Sequence, residues 1–200
     1  MLGSGHGIES DFRMSRGDEP VRYGAAAQLL HWLMAALIIA AFCVGFYMVD
    51  LKLSPTKLKL FSYHKWIGVT VFALVLLRLG WRLYAPPPPL PASLPDWQRR
   101  ASAISHRLLY LLMLVVPLSG WLMSSAKGFQ TVYFGLLPIP DLLAKNPDLG
   151  KQLETVHWAL NKLLLLTVLV HVSAALKHHF VDRDAVLRRM LPKLPLRRSE

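Results

Sequence analysis

Two hundred residues, 54% of them hydrophobic and with mean hydropathy +0.36, make one small membrane-embedded bundle and leave no room for a second domain. A net charge of +11 beside long apolar runs is the pattern of basic ends facing anionic headgroups, so nucleic-acid binding is not needed to explain it. The single cysteine, Cys43, lies in an apolar run; this excludes a disulfide framework, and no C-x-x-C-H motif exists for covalent attachment of a cofactor.

Residues 1–24 are polar, mixed in charge and without a signal-peptide core, so they are expected to be a disordered cytoplasmic tail in which His6 is solvated. The first span is expected from Ala25 to Val49, apolar except for Gln28 and His31. A loop with Lys52, Lys57 and Lys59 leads to a second span that opens FSYHKW and carries His64 near its start. Pro86 to Pro89, with Pro91 and Pro95, makes a stiff connector. The third span, Ala103 to Ser125, begins near His106 and holds Pro117 as a kink that membrane helices tolerate. A partly apolar loop from Ala126 to Gln152 is expected at the interface. The fourth span, Glu154 to Phe180, sets His157 and His171 into an apolar run, and residues 181–200 form a basic cytoplasmic tail.

Thirteen arginines, with Lys177 and Lys193, fall on the side of the termini and the proline connector, and seven lysines fall on the other. The positive-inside bias places both termini in the cytoplasm of a multi-pass inner-membrane protein. The four spans predict an all-α, integral membrane four-helix bundle occupying residues 25–180.

His157 and His171 are 14 residues apart, which keeps them near one helix face and separates them by roughly 21 Å along the axis. His64 enters from the same side as His157, and His31 reaches the inner level of His171. The interval of 14 also takes His31 to Gly45, His106 to Gly120 and His64 to Arg78. Glycine leaves room for a flat macrocycle, and arginine pairs with a carboxylate such as a haem propionate. Two imidazoles on facing helices at one depth suit an iron held on both axial sites, so two layers predict two non-covalent haems in the bundle core. A zinc site wants three or four converging ligands, and a proton or cation pathway wants carboxylates that spans one to three lack. His106 is a third inner-level candidate, as a ligand, as a polar neighbour of a propionate or quinone, or as plain packing. His178 and His179 lie too deep to ligate and are expected at the interface.

The segments LLHW, YHKWIGV through LLRLGWRLY, YLLMLVVPLSGWLMS, GFQTVYFGLLPIP and VHWALNKLLLLTVLVHVSAALKHHFVDRDAVLRRMLP resemble the bacterial dihaem cytochrome b561 family over roughly Arg22 to Pro192. The resemblance implies two haem b groups ligated by His31, His64, His157 and His171, and electron transfer linked to ubiquinone as acceptor or donor. Some similar relatives imply superoxide oxidation at the outer face. The long N-terminal segment departs from the family pattern. Lysines in the outer loops would attract such an anion, although a solvated basic rim explains them equally well. Two rival readings are a haem-bearing anchor for a soluble or membrane redox partner in a larger complex, and a haem-free channel.

Overall fold

A computed structural model of the chain describes residues 22–90 and 94–192. Four helices account for most of it: α1 Ala25–Asp50, α2 Pro55–Tyr84, α3 Asp96–Ala126 and α4 Pro147–Phe180. Each is long and apolar enough to cross a membrane. Their outward faces carry Leu29, Ile39, Leu77, Leu111, Leu166 and Val170, all exposed, which is the apolar exterior that a lipid solvent favours. The inner packing is correspondingly thin. Met34, Val75 and Met113 join α1, α2 and α3, while Leu112, Val116 and Leu164 join α3 to α4.

The termini of these helices follow local chemistry. Ser54 caps α2 by accepting the Lys57 backbone N–H at 3.2 Å, with Pro55 at the first helical position. Asn146 caps α4 by accepting from Leu149 N–H at 3.1 Å, with Pro147 next. That cap starts α4 seven residues before the apolar run at Glu154. Pro95 and Asp96 likewise start α3 ahead of the expected Ala103. The apolar pattern marked the portion of each helix that meets lipid and missed the polar first turns.

The helices pack as neighbours in sequence: α1 on α2, α2 on α3, α3 on α4. Among the described residues no Cα of α1 comes within 8 Å of one of α4, so those two helices stand apart across the bundle. The loop after α3 contains an antiparallel hairpin, β1 Val132–Tyr133 with β2 Leu137–Pro138, that sequence periodicity did not show. Its strands are two residues each, too short to alternate visibly. Phe134 and Gly135 turn it at φ 50° and 73°. Bonds to α2 hold it: Trp66 Nε1 donates to Val132 O at 2.7 Å, and Lys65 Nζ to Phe129 O at 2.8 Å.

At the opposite, terminal end the segment expected as a basic tail against the headgroups also packs on the start of α1. Residues 181–192 fold back instead of trailing, because their carbonyls satisfy donors at the start of α1. Arg189 O accepts from Tyr23 N–H at 3.1 Å and from Gln28 Nε2 at 3.2 Å, and Met190 O accepts from Trp32 Nε1 at 2.9 Å. The buried Arg189 guanidinium lies over the Tyr23 ring and donates to Pro89 O at 2.8 Å. The proline run is extended as expected and thereby becomes one wall of this closure. Residues 1–21, with His6, and residues 193–200 lie outside the described residues, so the structure describes the two expected tails only at 22–24 and 181–192.

Candidate functional site

The histidines of α1, α2 and α4 gather in two layers. At the hairpin end, His64 of α2 faces His157 of α4 with ring centroids 6.4 Å apart and planes at 88°. At the terminal end, His31 of α1 faces His171 of α4 at 6.3 Å and 67°. All four rings are partly buried between the helices.

In the hairpin-end layer both rings are docked in the same way. His64 Nδ1 lies 3.1 Å from Ala41 O on α1, and a carbonyl only accepts, so Nδ1 carries the proton. His157 Nδ1 lies 3.1 Å from Val116 O and 2.9 Å from Ser119 Oγ on α3, while that hydroxyl donates onward to Val116 O at 2.7 Å. In each case the residue four positions beyond the accepting carbonyl is a glycine. A Cβ on Gly45 would stand 3.3 Å from His64 Cε1, and one on Gly120 would stand 3.0 Å from His157 Cε1. The missing side chains thus let each imidazole reach the backbone of the neighbouring helix. In the protein alone, the room that the two glycines leave is taken by the histidine rings. With both Nδ1 protons committed to carbonyls, both Nε2 atoms present lone pairs, the form in which imidazole binds a metal.

The terminal-end layer is built differently. Arg78 Nη2 and Nη1 lie 3.2 and 3.3 Å from His31 Nδ1, and Arg78 Nε donates to Tyr110 Oη at 3.1 Å. A guanidinium has only donors, so here His31 Nδ1 accepts and the ring proton sits on Nε2. Arg78 was expected as a partner for a carboxylate; in the protein alone its acceptors are His31 and Tyr110. Arg78 and Arg82 both lie 5.8 Å from the Tyr110 ring centre. His106 of α3 stands 5.4 Å from His171. It therefore joins this layer, as its position in span three implied.

Other sequence candidates lie elsewhere. His178 Nδ1 is 2.6 Å from Asp184 Oδ2 at the end of α4, where Lys177 also pairs with Asp182 at 2.6 Å. That cluster closes the helix C-terminus. Sequence reasoning missed Tyr110 and Ser119. Ser119 had a signal in its place beside Gly120, whereas nothing in the spacing of Tyr110 marked it.

The chain matches the family model described as "Prokaryotic cytochrome b561" over residues 22–193. It is 36% identical over 185 residues to cytochrome b561 homolog 2 of Escherichia coli (strain K12), covering 90% of this chain and 96% of that protein. It is 28% identical over 171 residues to the probable superoxide oxidase CybB of Yersinia pestis, covering 82% and 92%. Cytochrome b561 homolog 1 of Escherichia coli (strain K12) is 24% identical over 176 residues, covering 86% and 98%. Family match, four apolar helices and paired intramembrane imidazoles agree: this chain belongs to the prokaryotic cytochrome b561 family of multi-pass membrane electron-transfer proteins, a family that implies b-type haem.

Proposed function

We propose that the chain holds two haems b, one between His64 and His157 and one between His31 and His171, and passes electrons through the bilayer between a donor at the hairpin end and the quinone pool. The observation that carries this reading is the separation of the two pairs. A metal–imidazole bond of about 2 Å on each side, plus about 1 Å from each nitrogen to its ring centre, puts opposed centroids about 6 Å apart. The pairs stand at 6.4 and 6.3 Å. The 5.4 Å between His106 and His171 is too short for a shared axial pair, which leaves His106 the role of a polar neighbour.

Haem supplies the one-electron chemistry. The protein fixes ring orientation through Ala41 O and Val116 O, keeps water out with lipid-facing helices, and holds Arg78 and Arg82 beside the terminal-end layer for propionate carboxylates. Ligation through His31 Nε2 requires the proton to move to Nδ1, so Arg78 gives up that nitrogen when the site is filled. The hairpin end is assigned to the outer face and both termini to the cytoplasm, following the arginine bias. The name of the Yersinia pestis relative supports superoxide as the donor, and the outer lysines support anion attraction. Three of those lysines are already engaged, Lys57 with Leu51 O, Lys65 with Phe129 O and Lys127 with Glu154. Quinone then takes the electron at the cytoplasmic end.

A reduced-minus-oxidised spectrum with haem quantified per chain tests the core of this reading. Two b-type haems are expected; one or none overturns it. Quinone reduction by superoxide that persists in a His64→Ala, His157→Ala protein would remove the superoxide assignment.

A further inference from the structure

The terminal end holds a cavity of about 280 Å³ that the electron path does not use. The start of α1 supplies Arg22, Tyr23 and Ala27 to its wall, the end of α2 supplies Trp81 and Ala85, and the first prolines of the connector complete it. Among the described residues that line it there is no carboxylate, and Arg22 is the charged one.

Arg22 is incompletely satisfied. Its Nη1 donates to Leu191 O at 3.1 Å, and among the described residues its solvent-shielded Nε has no acceptor. The adjoining helix end asks for the same sign of charge. Gly24 caps α1 without a side-chain acceptor, and the first turn holds no acidic residue, so among the described residues no carboxylate compensates the positive end of the helix dipole beside the cavity. The remaining wall is apolar and aromatic. Trp81 pairs with Tyr84 at 5.7 Å, an arrangement suited to the headgroup level. Arg189, bound to Pro89 O and stacked on Tyr23, holds the walls together before any ligand arrives.

We infer that this cavity binds the phosphate of an anionic glycerophospholipid from the leaflet at the terminal end, with Arg22 as the charged contact and Trp81, Ala27 and Ala85 against its glycerol and first methylenes. The size admits a phosphate with its glycerol and leaves the acyl chains in the bilayer. The bound headgroup would tie the start of α1 to the end of α2, at the closure made by residues 189–191. Basic pockets at this level between membrane helices are a recurring setting for anionic headgroups.

The test uses the full chain, purified with its cofactor in a neutral detergent, and follows the thermal midpoint during titration with phosphatidylglycerol, phosphatidylcholine, inorganic phosphate or a short-chain quinone. Phosphatidylglycerol alone is expected to raise the midpoint saturably. Arg22→Gln should weaken that response at least tenfold and Arg22→Lys should keep part of it. Ala27→Phe, which fills the cavity and leaves Arg22 in place, should abolish it. Arg188→Gln, an exposed neighbour, should leave it unchanged. An equal response from Arg22→Gln and Ala27→Phe, or no response to phosphatidylglycerol in the parent chain, overturns the proposal. A match by inorganic phosphate overturns the lipid as the source, and saturable stabilisation by the quinone instead overturns the ligand class.

Discussion

The imidazole of His157 occupies the notch left by Gly120: a Cβ at that glycine would lie 3.0 Å from His157 Cε1, and the ring uses the space to reach Val116 O. Gly45 and His64 repeat the relationship on the other helix pair, with 3.3 Å in place of 3.0 Å. Each hairpin-end histidine is therefore oriented by a helix adjacent to its own, and its Nε2 is left with a free lone pair.

Filling a notch should therefore disturb one layer only. Gly120→Val is expected to push the His157 ring off Val116 O and lower haem content from two towards one per chain. Gly45→Val should do the same to a smaller extent, because its Cβ starts farther from the ring. Haem quantified per chain in the two variants checks both the effect and its order.

Removing ligands should separate the layers. His64→Ala and His157→Ala are each expected to retain a single haem from the terminal-end layer, and His31→Ala and His171→Ala a single haem from the other. His106→Ala and His178→Ala should retain two, since His106 stands too close to His171 to share an iron with it and His178 is engaged by Asp184. Retention of both haems in a His157→Ala or His171→Ala protein would show the pairing to be wrong.

Arg189→Ala should act on stability while sparing cofactor content. The substitution removes a charged hydrogen bond to Pro89 O and the stacking on Tyr23, a loss of about 2 kcal/mol. The expected readout is a lower thermal midpoint with two haems per chain retained. Haem loss at temperatures below the unfolding transition would instead place Arg189 in cofactor binding.

The Lys127–Glu154 pair, although only 2.7 Å apart, should contribute little. Its side chains are 28% and 61% exposed, and a pair so open to solvent is worth less than about 1 kcal/mol. Glu154→Gln is expected to leave the unfolding midpoint nearly unchanged at any salt concentration, which a thermal scan in low and high salt would register.

The number of helices, their membrane character and the histidines worth watching were legible in the chain, because a span needs about 20 apolar residues and a histidine inside one is conspicuous. The helix starts at Asp96 and Pro147 were less so, since polar first turns carry no apolar signal and their caps act through the backbone. The hairpin at Val132–Pro138 was not legible at all: its register depends on Trp66 and Lys65, more than 60 residues earlier.

Sequence alone determined that two layers of histidine exist, since the 14-residue interval between His157 and His171 sets their depths by helix rise. Tertiary structure decided what surrounds them. Gly45 and Gly120 read equally well as space for a macrocycle or for a ring, and only the approach of α2 to α1 and of α4 to α3 gave that space to His64 and His157. Residues 181–192 read as a basic tail lying against anionic headgroups, and the donors of Tyr23, Gln28 and Trp32 also find acceptors there. Depth along a helix is a one-dimensional property that spacing fixes, whereas the partner of a given side chain depends on which helix faces it, and that is settled only when the bundle closes.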